Sequence, residues 1–140
     1  MFRQESIGVL EQVWETAWGL PGFVHPKKDG TIRTIEDLRE LNKCVVRKVY
    51  PLPRIQDIMH HRRKYRYFTK IDISMQYYTF KLDEESAKCV VIVTPFGKWR
   101  RVRFPMSFIG STDWAQAVME EIFQDVIQDV ECYIDDIGIF

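Results

Sequence analysis

Glu131-Cys132-Tyr133-Ile134-Asp135-Asp136-Ile137-Gly138-Ile139-Phe140 decides how this chain is read. Two strand-like runs, Glu131 to Ile134 and Ile137 to Phe140, are separated only by Asp135 and Asp136. That spacing predicts a hairpin, but one without the Asn-Gly or Asp-Gly that two-residue turns favour. Neighbouring carboxylates repel one another and need water or a cation beside them. Taken alone, the pair reads as a solvent-exposed turn before it reads as a metal site. A second acidic position shifts the balance. Asp72 lies inside Phe68-Thr69-Lys70-Ile71-Asp72-Ile73, another strand-like run, where a carboxylate among apolar neighbours is unfavourable without a partner or cation. If the two strands lie side by side, Asp72 and Asp135 share Mg²⁺. With no His nearby in sequence and no second Cys to join Cys132, the donor set suits a hard cation better than zinc.

Outward from these runs, strands and helices alternate without a regular βαβ beat, which predicts an α+β fold of antiparallel hairpins and packed helices. Phe23 to Pro26 and Thr31 to Ile35 flank Lys27-Lys28-Asp29-Gly30, a hairpin signal. Cys89 to Thr94 and Trp99 to Phe104 flank a second turn at Pro95-Phe96-Gly97-Lys98. Met1 to Glu15 carries a weak helical pattern interrupted by Gly8, and Ile55, Ile58, Met59 and Arg62 mark one helix face after Pro51 and Pro53. Asp83-Glu84-Glu85-Ser86 opens a short helix. The strongest helical pattern is Trp114, Val118, Ile122, Val126 and Val130, recurring every fourth residue, with Asp113 as its cap and Gln116 three residues on.

Twenty basic and twenty acidic residues cancel, which argues against a generic DNA-coating protein. The charge is segregated, however. Lys43 to Lys70 holds nine Lys or Arg against Asp57, whereas Asp113 to Asp136 holds eight acids and neither Lys nor Arg. Such an arrangement suits an enzyme that handles polyanions beside metal ions, although solvated surface charge explains the runs by themselves. Cys44, Cys89 and Cys132 are widely spaced and predict buried thiols of a reducing, intracellular compartment rather than disulfides or zinc. His60-His61 reads as solvated helix surface. No apolar run is long enough for a membrane span or a signal peptide, so no membrane is expected as a partner.

In order along the chain, Lys27-Lys28-Asp29-Gly30-Thr31-Ile32-Arg33, Asp37-Leu38-Arg39-Glu40-Leu41-Asn42-Lys43, Tyr50-Pro51-Leu52-Pro53-Arg54-Ile55, Phe68-Thr69-Lys70-Ile71-Asp72-Ile73-Ser74, Phe104-Pro105-Met106 and Tyr133-Ile134-Asp135-Asp136 resemble the motifs of reverse transcriptases, most closely those of gypsy-type retrotransposons. The resemblance runs from about Ile7 to Phe140. It implies a palm-and-fingers fold: residues 1–50 as the N-terminal part with the fingers hairpin, residues 51–140 as the remaining fingers and palm. The implied activity is RNA-directed DNA polymerisation, in which a primer 3′-hydroxyl attacks a deoxynucleoside triphosphate with two Mg²⁺ ions, Mn²⁺ being the alternative metal. Asp72, Asp135 and Asp136 would be catalytic, and Asp72, Ile73, Asp135 and Asp136 would hold the metals. Lys27 and Arg33 would grip the triphosphate, Tyr77 would exclude a 2′-hydroxyl, Met106 would pack beside the nucleotide sugar, Gln116 would stabilise the same nucleotide pocket from its helix, and Arg39 would touch the template. The partners implied are an RNA or DNA template with its primer, deoxynucleoside triphosphates, and the thumb and RNase H regions of a longer polyprotein, expected beyond the point where this chain stops. Location in cytoplasm or nucleus is likewise implied by the family.

Three departures from the family pattern stand out: Ser107 and Thr112 where Gly and Pro are usual, and Met75-Gln76 where a Gly is usual before Tyr77. They make a decayed, non-catalytic remnant the rival reading. An unrelated palm-type enzyme, such as a nucleotide cyclase or an RNA-dependent RNA polymerase, shares the carboxylate logic. It leaves the Lys-Lys-Asp-Gly, Leu-Asn-Lys and Pro-Leu-Pro segments without explanation.

Overall fold

The computed structural model describes residues 2–140. In chain order its elements are α1 (Phe2–Ser6), β1 (Leu10–Val13), β2 (Leu20–Pro26), β3 (Ile32–Glu36), α2 (Arg39–Cys44), α3 (Ile55–His61), β4 (Thr69–Asp72), α4 (Glu84–Cys89), β5 (Val91–Thr94), β6 (Gly97–Arg101), α5 (Ser111–Ile122), β7 (Val130–Tyr133) and β8 (Asp136–Ile139). Short 3₁₀ turns cover Gln76–Thr79 and Gln124–Val126. The chain forms two compact units, Met1–Val45 with Tyr77–Ile109, and Val46–Gln76 with Gly110–Phe140.

The first unit is built on a five-stranded sheet in the order β1-β6-β5-β2-β3. All its pairings are antiparallel except β2 with β5, which run parallel through Leu20↔Ile92 and Pro21↔Val93. Val9, Leu10, Ile92 and Trp99 form one buried cluster; Leu20, Leu38, Leu41 and Val90 form another. Trp99 is fully enclosed, and its indole Nε1–H donates to Thr94 Oγ1 at 3.3 Å, so its polar edge is satisfied where its ring is dry. The β2–β3 hairpin forms as its sequence predicts. Gly30 takes the left-handed conformation (φ 79°), and Asp29 Oδ1 accepts from both the amide and the hydroxyl of Thr31 at 2.9 and 2.6 Å. α4 is capped by Asp83, which accepts from the Ser86 amide at 3.0 Å.

The helical reading of Met1 to Glu15 is corrected here. α1 ends at Ser6, Gly8 turns the chain with φ 69°, and Leu10–Val13 joins the sheet beside β6. Val9 and Leu10 thereby reach the Trp99 cluster. Tertiary ladder partners outweigh a weak helical period that a glycine already breaks.

The second unit holds the antiparallel sheet β4-β8-β7, with Met119, Val130, Cys132 and Ile137 as its core, flanked by Ile73 and Phe123. α5 covers this core, but not with the expected face. Trp114 and Ile122 are 54% and 62% exposed; Asp113, Ala115, Gln116 and Met119 are buried. The helix ends at Ile122, leaving Val126 in a 3₁₀ turn and Val130 in β7. An every-fourth-residue repeat drifts about 40° per step around a helix of 3.6 residues per turn, so it cannot hold one face over four steps. Nor is Asp113 the cap, which is Gly110. The Asp113 carboxylate is buried in the first turn, where it accepts from Arg47 Nε at 2.6 Å, Arg47 Nη2 at 3.0 Å and the Tyr50 amide at 3.0 Å. Those bonds hold its pKa below the ordinary carboxylate value. Of the three cysteines only Cys132 is buried; Cys44 and Cys89 are exposed, against the expectation of buried thiols.

Candidate catalytic carboxylate site

β4 lies antiparallel to β8 with Asp72 directly opposite Asp136, so both carboxylates stand on the same face of the sheet. Asp135 occupies the turn between β7 and β8, and its carbonyl accepts from the Ile73 amide at 2.8 Å. The second unit therefore does bring Asp72, Ile73, Asp135 and Asp136 to one end of its sheet. Asp72 is exposed, not enclosed among apolar side chains, so water supports its charge and burial is not what makes it notable.

The hairpin turn is strained and externally braced. Ile134 has φ 57°, unusual for a β-branched residue, and two buried glutamines hold its peptide groups. Gln116 accepts from the Ile134 amide at 2.8 Å and donates to the Cys132 carbonyl at 2.9 Å and to Glu120 at 2.7 Å. Gln76 donates to the Ile134 carbonyl at 2.9 Å. The resemblance implies that Gln116 stabilises a nucleotide pocket from its helix; in the structure its amide is engaged on the hairpin. Gln76 was noted only as a replaced glycine, and no sequence signal announced its reach across 58 residues. Its neighbour Met75 has φ 57°, so the side chain standing where glycine is usual does carry left-handed strain. Ser107 is not among the non-glycine residues with positive φ, and Thr112 fits the first turn of α5.

Lys70, two residues before Asp72, is the further residue that sequence reading passed over. Its ammonium lies 3.0 Å from Asp136 Oδ2. The hydrogen bond to Asp136 and that carboxylate's charge raise the Lys70 pKa, with smaller contributions from the charges of Asp72 and Asp135.

The chemistry at this end of the sheet bears on whether it suits a divalent metal. The donors are carboxylates only, and a cation, the Lys70 ammonium, rests against them, so a hard cation fits the chemistry. Among the described residues, no three Asp, Glu, His or Cys side chains converge as a metal-holding group. His60 and His61 are exposed on α3, as expected of a solvated surface.

The remaining sequence candidates belong to the first unit. Lys27 closes the β2–β3 loop, its amide donating to the Thr31 carbonyl at 2.8 Å, and Arg33 stands on β3 opposite His25; both side chains are exposed. Arg39 is paired with Asp37, Nε to Oδ1 at 2.9 Å and Nη2 to Oδ2 at 2.6 Å. The hydrogen bonds and charge of Arg39 hold Asp37 down to about 2. Tyr77 is half-buried in the first 3₁₀ turn, and Met106 is exposed in the loop after β6. Asn42 fastens that loop: its Nδ2 donates to the Ser107 carbonyl and its Oδ1 accepts from the Ile109 amide, both at 3.0 Å. The Leu-Asn-Lys motif thus has a visible structural task.

Comparison with known proteins agrees with this architecture. The family model described as "Reverse transcriptase (RNA-dependent DNA polymerase)" matches residues 25–140. The chain belongs to the reverse transcriptase family. It is 31% identical to an enzymatic polyprotein of cassava vein mosaic virus over its whole length, covering 22% of that protein. It is also 30% identical to the retrovirus-related Pol polyprotein from transposon 297 of Drosophila melanogaster, over 86% of this chain and 12% of the relative. A Tf2-3 transposon polyprotein of Schizosaccharomyces pombe is 28% identical over 84% of this chain and 9% of the relative. The chain thus spans between about a tenth and a fifth of these relatives. Among solved structures, the foamy viral protease-reverse transcriptase in complex with an RNA/DNA hybrid superposes with a TM-score of 0.86 at 20% identity, over 98% of this chain and 18% of that one. The selenomethionine-labelled prototype foamy virus enzyme gives 0.85 at 23%, over 98% and 18%. The α+β fold is that of the reverse transcriptase palm and fingers. No helix among the described residues is long and apolar enough to cross a membrane.

Proposed function

We propose that this chain is the carboxylate-bearing part of an RNA-directed DNA polymerase of a gypsy-type retroelement, joining deoxynucleotides to a primer 3′-hydroxyl. The observation that carries the reading is the register that sets Asp72 opposite Asp136, with Asp135 on the adjoining turn, in a chain of this family. Asp72, Asp135 and Asp136, with Ile73 beside them, would hold two Mg²⁺ or Mn²⁺ ions. When bound, such ions activate the attacking hydroxyl and neutralise the departing pyrophosphate. Lys27 and Arg33 offset the triphosphate's negative charge, consistent with their exposed positions on the β2–β3 hairpin. Tyr77 offers a ring that collides with a ribose 2′-hydroxyl, and Met106 packs beside the sugar. Gln116 serves the nucleotide site by holding the turn. Arg39, fixed by Asp37, presents a cation to the template strand. On this reading the second unit is the catalytic end of the palm, and the first carries the fingers hairpin. Foamy viral enzymes of the same fold have been solved with double-stranded DNA and with an RNA/DNA hybrid, which supports a primer–template as the macromolecular substrate.

The test is single-nucleotide primer extension on an RNA template with Mg²⁺ or Mn²⁺, beside Asp135→Asn. Incorporation abolished by the substitution establishes a working centre; no incorporation by the wild-type chain favours the remnant. In an active chain, Tyr77→Ala is expected to raise ribonucleotide incorporation relative to deoxynucleotide.

A further inference from the structure

Two like charges directly opposite each other across a sheet destabilise it, and Asp72 faces Asp136 in that way, with Asp135 adjoining. Water offsets part of this charge, since Asp72 is exposed, and a cation close by offsets more of it. Lys70 stands two residues before Asp72, on the same face of β4. Opposite it on β8 is Gly138, which contributes no side chain to that face. The lysine is thus free to lean diagonally toward the strand end, where its ammonium meets Asp136 Oδ2 at 3.0 Å. The Lys70 side chain is 61% exposed, so the ammonium is a movable charge rather than one locked in a core. Lys70 and Asp136 both border a cavity of about 470 Å³.

We propose that Lys70 is a built-in counterion, holding the carboxylate end of the sheet together in the metal-free protein and giving way when a divalent cation binds. The inference rests on the metal reading of the carboxylates above. The lysine is a positioning residue: it touches Asp136 and competes with the metal for it. Its presence lowers the apparent metal affinity while keeping the carboxylates oriented beforehand. Arg at this position keeps the positive charge, whereas Met keeps the aliphatic stem and removes it.

The experiment is Mn²⁺ titration of the chain, followed by the electron paramagnetic resonance signal of free Mn²⁺, for wild type, Lys70→Met, Lys70→Arg and Asp136→Asn. Thermal unfolding is recorded in parallel in chelator and in saturating Mn²⁺. Lys70→Met is expected to bind Mn²⁺ about five- to ten-fold more tightly than wild type, because a cation is removed within a few ångströms of the metal. Lys70→Arg should stay within about two-fold of wild type, and Asp136→Asn should weaken binding. In chelator, Lys70→Met should melt a few degrees below wild type, a gap that saturating Mn²⁺ closes. Equal or weaker Mn²⁺ binding by Lys70→Met, with the wild type binding normally, overturns the counterion role and leaves the metal reading standing. Absence of Mn²⁺ binding from wild type and variants alike overturns both.

Discussion

The β2–β3 and β7–β8 hairpins solve the same problem by different means. At the tip of the first, the left-handed residue is Gly30, and Asp29 and Thr31 supply the hydrogen bonds locally. At the tip of the second the left-handed residue is Ile134, and the bonds come from Gln76 and Gln116, 58 and 18 residues away. A surface turn that only has to reverse the chain can be written in four consecutive residues. The turn that carries Asp135 and Asp136 keeps Ile134 in a conformation its side chain disfavours, and the tertiary structure over-determines it.

The base of the first hairpin and the tip of the second can be broken hardest. Glu36, the last residue of β3, accepts from Arg101 Nε at 2.8 and 2.9 Å in a site where both side chains are almost wholly buried. Glu36→Ala leaves that guanidinium buried without its carboxylate and should destabilise by about 3–5 kcal/mol in denaturant unfolding. Gln116→Ala removes three hydrogen bonds around the strained turn and should cost about 2–4 kcal/mol. If it costs no more than a surface substitution, the braced-turn account fails. At the locally written tip, Gly30→Ala should cost only about 1 kcal/mol, and purely through φ, because a Cβ there meets nothing within 4 Å. Met75→Gly should go the other way, a gain of up to about 1 kcal/mol, by relieving the left-handed strain beside Gln76. The smallest effect is a pH dependence. Asp37 titrates at about 2 in the folded chain against an ordinary 3.8, so its contribution is complete above 3.8 and disappears as pH falls through 2. Asp37→Asn should flatten the stability–pH curve slightly in that window, as read by thermal melts.

Several elements were legible because their signals are local. The Gly30 hairpin, the short helix opening at Asp83-Glu84-Glu85-Ser86 and the paired runs around Asp135-Asp136 each rest on neighbouring residues whose backbone preferences coincide with the final fold. The motif order was likewise enough to indicate the family. Where the reading failed, long-range partners had decided. Met1 to Glu15 became a short helix and a sheet edge because β6 was there to pair with Leu10–Val13. α5 buried Asp113 and Gln116 instead of Trp114 and Ile122 because Arg47, Tyr50 and the β7–β8 turn offered them hydrogen bonds.

The sequence by itself determined which carboxylates this protein carries, and that they belong to strand-like runs that can meet, since residue type and a period of two are properties of the chain. Only the tertiary structure decided that Asp72 faces Asp136, that Lys70 rests against them, and that two glutamines hold the turn. Strand register and buried hydrogen-bond partners are fixed by which distant segments satisfy one another, and no stretch of sequence contains that information alone.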